Sequence, residues 1–225
     1  MAAASIRGRF SLTLPVLATF LVVVSLFPFA WMLLSSIKTL RELYTVPPSW
    51  IPETPTIANY MKVLFESNVP RYFLNSCVIA GGATLIALLF AVPAAYGFAR
   101  FNFRGKRFWQ ASILAGQMLP TAAVIVPLFI LLRTFELMNT YAGLILVYMI
   151  LTLPLSVWML SGYLRAIPLE LEEAAIIDGA TRVGVLWRIV LPLAVPGIVA
   201  VMVYSFVTAW NEFIFALCFA LDSRV

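Results

Sequence analysis

Apolar residues in this chain neither alternate nor recur on one helical face; they run on without interruption. Residues 10–37 carry no charge, nor do 72–99, 108–132, 137–164 or 189–211. A helix rises about 1.5 Å per residue and roughly 20 apolar residues cross a bilayer, so every run is long enough. Strands are far shorter, and backbone groups in lipid must bond within their own segment. The pattern predicts an all-α polytopic membrane bundle, a single transmembrane domain over 1–225 with spans near 10–37, 72–99, 108–132, 137–164 and 193–221. The first run is about twice a signal-peptide core and no small-residue cleavage pattern follows it, so it reads as a span.

Two connectors are distinctive. Val46-Pro47-Pro48-Ser49-Trp50-Ile51-Pro52-Glu53-Thr54-Pro55 cannot be a regular helix. It predicts extended backbone with aromatic anchors, then a short amphipathic piece over 57–65. Such a loop would cap the bundle, touch an external partner or simply connect. The other connector, 167–192, is polar. Pro168 suits a helix's first position, Glu170, Glu172 and Glu173 suit its positive end, and Gly179 suits its termination. Thr181 then caps a second helix over 182–189, and Leu191-Pro192 turns the chain back into the membrane. A solvated surface helix would carry the same charges. Ala174, Ala175 and Gly179, however, let another backbone approach closely, so the segment reads as a docking element. Glu173 is expected to orient it by charge-assisted hydrogen bonds, within the loop in preference to a partner.

Composition agrees with a lipid environment: 63% hydrophobic and 11% charged, where soluble domains are about 45–50% apolar. The net charge of +5 would suggest nucleic acid in a soluble protein. Here the bases sit at span ends and report topology instead. Arg100, Arg104, Lys106 and Arg107 share a short acid-free connector, which places it and the N-terminus, with Arg7 and Arg9, in the cytoplasm. Nine bases then lie inside and six outside. Histidine is absent, which removes the usual general base and proton relay. Cys77 and Cys218 are isolated in apolar runs and read as small buried residues, with no metal or disulfide spacing. The prolines inside or near the spans, Pro15, Pro28, Pro93, Pro120, Pro127, Pro154 and Pro196, read singly as ordinary membrane-helix composition. No phosphate-binding glycine loop is present.

Glu212 stands alone late in the fifth run. An intramembrane carboxylate is a functional candidate. With Trp210, Asn211 and Tyr204 it could bond and stack against a solute, or it could form an interhelical hydrogen-bond clamp, the preferred reading for Glu212 and Asn211. Asn75, Gln117 and Thr121 are further polar candidates.

The spacing Glu173-Ala174-Ala175, Gly179, Ile189, Leu191-Pro192 resembles, at every position, the cytoplasmic signature of ABC importer permease subunits. Lys38, Glu42, Pro47-Pro48, Trp50-Ile51-Pro52, Thr56, Asn59-Tyr60, Asn75-Ser76, Ala94-Ala95-Tyr96, Ala99-Arg100, Gly105-Lys106 and Ala209-Trp210-Asn211-Glu212-Phe213 are similar to the carbohydrate branch, the maltose-importer type of second permease. The resemblance covers nearly the whole chain. It implies six spans, one more than the five visible, with the sixth beyond the Asp222-Ser223-Arg224 region and missing from these residues.

It further implies a subunit that pairs with a second related permease and two ATPase subunits and is supplied by an extracytoplasmic solute-binding protein, in a bacterial or archaeal cytoplasmic membrane. ATP and magnesium would sit on the ATPase, and this chain would hold no cofactor and bind no nucleic acid. The coupling helix would comprise Glu172, Glu173, Ala174, Ala175, Ile177, Asp178, Gly179 and Ala180. Three rivals remain. An ion-coupled secondary transporter would need ion sites that Glu212 alone hardly supplies. A membrane enzyme would need a nucleophile or metal cluster. An assembly-only subunit would not transport.

Overall fold

The computed structural model describes the backbone of residues 3–220 and the side chains of residues 14–220. The side chains of Arg7 and Arg9, the end of the fifth predicted span and Asp222-Ser223-Arg224 lie outside the described residues. The chain forms two compact units, Met1–Pro70 and Arg71–Val225.

The first unit holds α1 (Ala3–Ser36), α2 (Leu40–Leu43) and α3 (Ala58–Phe65). Within α1 the stretch Leu14–Ser36 has mean hydropathy 2.3, and its large side chains are exposed on all faces, as suits a helix whose solvent is lipid. The proline-rich loop is knit by its polar groups. Lys38 is buried; its Nζ donates to the Ser49 carbonyl and lies 4.6 Å from the Trp31 ring centre. Trp31 and Trp50 meet edge to face at 5.3 Å. Asn59 Nδ2 donates to the Ser36 and Lys38 carbonyls at 2.9 and 2.8 Å. Hydrogen bonds from Thr54 to the Glu42 carboxylate hold its pKa below the ordinary value.

The second unit holds α4 (Val69–Arg100), α5 (Lys106–Ala115), a 3-10 turn (Gly116–Met118), α6 (Thr121–Thr134), α7 (Tyr141–Ala166), α8 (Glu170–Ile177), α9 (Arg182–Val185), a π turn (Leu186–Val190), α10 (Leu191–Trp210) and α11 (Ile214–Phe219). The described residues contain no strand. Among the described residues, with the stretch in α1, four helices are long and apolar enough to cross a bilayer, the others being Val69–Arg100, Tyr141–Ala166 and Arg182–Trp210.

Two elements differ from the sequence expectation. The run 108–132 is not one straight helix: α5 with its 3-10 turn meets α6 at 97°. Pro120 has no N–H and drives the preceding residue out of the helical region, and Leu119 duly sits at φ −67°, ψ 129°. Gln117 Nε2 braces the bend by donating to the Leu151 carbonyl at 2.7 Å. Counted as one broken span, the pair brings the total to five. The second difference is at Leu191-Pro192, which does not turn the chain. Helix continues from Arg182 to Trp210 through the π turn. A proline inside an α-helix presses on the carbonyl four residues back, and the widened turn before Pro192 admits it without ending the helix. The fifth run breaks instead after Trp210, before α11.

Small residues set the packing. Ala80, Ala83, Ala87, Ala91 and Ala95 line the buried stripe of α4. A Cβ on Gly197 of α10 would lie 2.5 Å from the Tyr163 ring of α7, so only glycine allows this approach. Farther along the same seam Ser156 and Ser205 hydroxyls meet at 2.9 Å, both fully buried.

Candidate functional site

The acid-rich segment folds as a helix, a reversal and a second helix. The Leu169 carbonyl accepts from the Glu172 and Glu173 amides, both at 3.0 Å, and three glutamates occupy the first turn, where the helix dipole favours them. At the other end the Gly179 amide reaches the Ile176 carbonyl at 3.0 Å and the Ala180 amide reaches Ala175 at 2.9 Å. This is a Schellman reversal, with Gly179 left-handed at φ +88°. Thr181 Oγ1 then caps α9, accepting from the Gly184 amide at 3.2 Å.

The residues of this segment divide into two faces. Glu172 is buried, and Ala175 and Ala180 pack against the cluster of Tyr96, Leu160, Leu164, Ile167 and Val185. Glu173, Ala174, Ile177, Asp178 and Gly179 are exposed, Ile177 at 85%. This corrects two sequence expectations. Ala175 serves close packing inside the chain instead of an outer surface. The loop-orienting acid is Glu172, one residue before the expected Glu173, which has no side-chain partner among the described residues. Glu172 Oε2 accepts from Tyr96 Oη at 2.8 Å. Its Oε1 accepts from Arg100 Nε at 2.5 Å. Arg100 Nη2 donates to the Ile167 carbonyl at 3.0 Å. Sequence reasoning gave Tyr96 and Arg100 no role here. The available signal was their i, i+4 spacing at the end of an apolar span, which puts both on one face.

The opposite end of this unit contains a cleft of about 330 Å³, lined among others by Tyr72, Asn75, Tyr148, Trp210, Glu212 and Phe213. Asn75 is 6% exposed. Its Oδ1 accepts from Tyr141 Oη at 2.7 Å, while its Nδ2 has no partner among the described residues. Trp210 stacks on Phe206 at 5.6 Å and meets Phe73 edge on at 5.5 Å.

The structure thus brings Asn75, Trp210 and Glu212 to one cleft, and leaves Tyr204 and Asn211 off its lining. It also corrects the clamp reading for Asn211. Asn211 Nδ2 bonds its own helix, at the Val207 carbonyl, 2.8 Å away. The Glu212 carboxylate caps α11, accepting from the Ile214 and Phe215 amides at 3.1 and 2.9 Å. Across to α7, Tyr148 Oη donates to the Glu212 backbone carbonyl at 3.3 Å and also faces its carboxylate. Thr121 opens α6 and is exposed. Cys77 and Cys218 are free and half-buried.

Comparison with known proteins gives three kinds of match. Residues 83–225 match the family described as the binding-protein-dependent transport system inner membrane component. The chain is 40% identical over 202 residues to the sulfoquinovosyl glycerol transport system permease protein SmoH of Agrobacterium fabrum, covering 90% of this chain and 71% of that protein. It is 36% identical over 221 residues to the diacetylchitobiose uptake system permease protein NgcG of Streptomyces coelicolor, covering 98% and 73%. It is 35% identical over 209 residues to the trehalose/maltose transport system permease protein MalG of Thermococcus litoralis, covering 92% and 74%. In fold it is similar to a chain in the crystal structure of a bacterial ABC transporter involved in the import of the acidic polysaccharide alginate. The TM-score is 0.81 at 21% identity, over 95% of this chain and 75% of that one.

Proposed function

The chain belongs to the family of inner-membrane components of binding-protein-dependent transport systems, and on that premise we propose that it is a permease subunit of an ATP-driven importer for a sugar or polyol-like solute. It is a multi-pass membrane protein that would form half of a translocation pathway. A second related permease would form the other half, two ATPase subunits would hold ATP and magnesium, and an extracytoplasmic solute-binding protein would deliver the solute. The chain would bind no cofactor. SmoH, NgcG and MalG are named for sulfoquinovosyl glycerol, diacetylchitobiose and trehalose or maltose, all rich in hydroxyl groups, which supports the substrate class. The basic connector Arg100 to Arg107 supports a cytoplasmic N-terminus.

The observation that carries the proposal is the outer face of α8 and its reversal. Glu173, Ala174, Ile177, Asp178 and Gly179 are exposed on a rigid, doubly hydrogen-bonded turn. A short rigid element transmits displacement where a flexible one would absorb it. This face would dock on an ATPase subunit, and closure of the ATPase pair would carry it along and shift the spans. The cleft at Asn75, Trp210 and Glu212 would line the pathway, with the Trp210 ring offered to a hydroxyl-bearing solute and the unpartnered Asn75 amide buried behind it.

The test is co-expression with the neighbouring operon genes and co-purification in mild detergent, followed by ATPase assays. The expected outcome is recovery of an ATPase subunit, a second permease and a binding protein. Gly179→Pro should abolish solute-stimulated hydrolysis while the chain still inserts. Full stimulation in that variant overturns the docking reading.

A further inference from the structure

A docking helix moves a span only if something rigid joins them. In chain order α8 is tied to α7 through Ile167 and Pro168 and to α9 through the Gly179 reversal. Its backbone packs against α9 and the π turn. Its polar connection to α4, 72 residues away in sequence, is made by long side chains.

We infer that Tyr96, Arg100 and Glu172 form a joint fixing the docking helix to the end of α4, so that the two move as one body during the transport cycle. This rests on the docking reading above. Both Glu172 oxygens are engaged, one by Tyr96 Oη at 2.8 Å and one by Arg100 Nε at 2.5 Å. The remaining reach of Arg100 goes to the Ile167 carbonyl at 3.0 Å, so one guanidinium gathers α4, α8 and the junction after α7. The pair is buried, with side-chain exposures of 7% for Arg100 and 4% for Glu172. Charge-assisted bonds away from water are short and directional, and the forked guanidinium cannot be replaced by a point charge. A second grip lies beside the first. Arg182 of α9 sits 5.5 Å from the centre of the Phe101 ring, directly after α4, and Phe101 meets Tyr96 edge to face at 6.1 Å. The end of α4 is therefore held from both helices of the docking segment. Tyr96, Arg100 and Glu172 are positioning residues: they face inward, away from the surface offered to the ATPase.

The experiment uses the complete reconstituted importer with its binding protein and measures solute transported per ATP hydrolysed. Glu172→Gln and Arg100→Lys should keep the ATPase subunits bound but lower transport per ATP by about fivefold or more, the usual size of coupling between linked sites. The exchanged pair Arg100→Glu with Glu172→Arg should recover part of the loss. Arg100→Cys with Glu172→Cys, with Cys77→Ala and Cys218→Ala, should be uncoupled when free and recover when bridged by a short bis-maleimide. Full transport per ATP in Glu172→Gln overturns the joint, as does further loss on bridging, which would mean that α4 and α8 must slide past one another. Loss of ATPase subunits from Glu172→Gln would place Glu172 in the docking face and overturns it too. A failure of the docking reading shows separately in Gly179→Pro, which leaves all three joint residues in place.

Discussion

The two ends of the second unit both bury polar side chains, and they close them differently. At the Arg100 end both oxygens of Glu172 and two nitrogens of Arg100 find partners between 2.5 and 3.0 Å. At the Asn75 end one buried amide donor has no partner among the described residues, beside a cleft of about 330 Å³, and the Tyr148 hydroxyl makes a long bond of 3.3 Å to the Glu212 carbonyl. A filled network resists rearrangement and an unfilled one accommodates change, so the first end is the stiffer and the second the more adaptable. The largest expected effect tests the first half of that contrast. Glu172→Ala leaves Arg100 buried without its counter-charge and should cost about 3–5 kcal/mol, read from thermal unfolding of the purified chain in detergent. Arg100→Met with Glu172→Leu should recover most of it, since both charges then go together. A loss below about 1 kcal/mol in Glu172→Ala, the range of solvent-exposed pairs, would place the pair in water and erase the contrast.

Gly197→Ala probes the seam between the two ends. Its new methyl would collide with the Tyr163 ring, which sits on the adjoining helix. Overpacking of this kind costs about 1–3 kcal/mol. The unfolding midpoint should fall accordingly, and Tyr163→Leu in the same chain should restore part of it. An unchanged midpoint would mean that α7 and α10 are free to part, and the rigid frame assumed for both ends would go with it.

Asn75→Leu addresses the open end and should be nearly silent in stability. It removes the acceptor used by Tyr141 Oη, a bond worth about 0.5–1.5 kcal/mol, but it also removes a buried donor that had no partner, which relieves a penalty of similar size. The net change should stay within about 1 kcal/mol. A loss matching Glu172→Ala would show Asn75 to be as structural as the joint, and the two ends would no longer differ in kind.

What the sequence made legible follows from how local each cause is. The boundaries of α8 rest on Pro168, the first-turn acids, Gly179 and Thr181, all acting within a few residues, and they stand out in the pattern. Which acid faces inward depends on about 100° of helix phase and on Arg100, 72 positions away, so Glu173 and Glu172 look alike until the helix is seated. Pro120 was visible, but unbroken hydropathy over 108–132 masks a bend that backbone stereochemistry imposes. Leu191-Pro192 looks like a turn by local rules, whereas the π turn carries the helix through it. Glu212 drew notice as a charge among apolar neighbours. Its capping role becomes readable only once the helix is known to end at Trp210. Of the cleft lining, Asn75, Trp210 and Glu212 stand out by their chemistry, and only folding separates them from Tyr204 and Asn211.

The smallest effect calibrates the rest. Ser156 Oγ lies 2.8 Å from the Thr152 carbonyl and 2.9 Å from Ser205 Oγ. A hydroxyl has one hydrogen; that of Ser156 is used on Thr152, so Ser205 donates to Ser156. Ser156→Ala leaves the Ser205 hydroxyl free to swing to a carbonyl of its own helix, as membrane serines do. Ser205→Ala leaves Ser156 still bonded to Thr152. Each single change should therefore cost about 0.6 kcal/mol, the usual worth of an interhelical hydrogen bond in a membrane protein. The double-mutant cycle should return a coupling of that size or less. The same cycle on Arg100 and Glu172 should return several times more, because both are buried charges and the neutral partners each would keep, the Ile167 carbonyl for Arg100 and Tyr96 Oη for Glu172, do not replace a counter-charge. Equal couplings in the two cycles would mean that the charged joint is no stiffer than an ordinary helix seam. The distinction between a stiff end and an adaptable one would then rest on the unpartnered Asn75 amide alone.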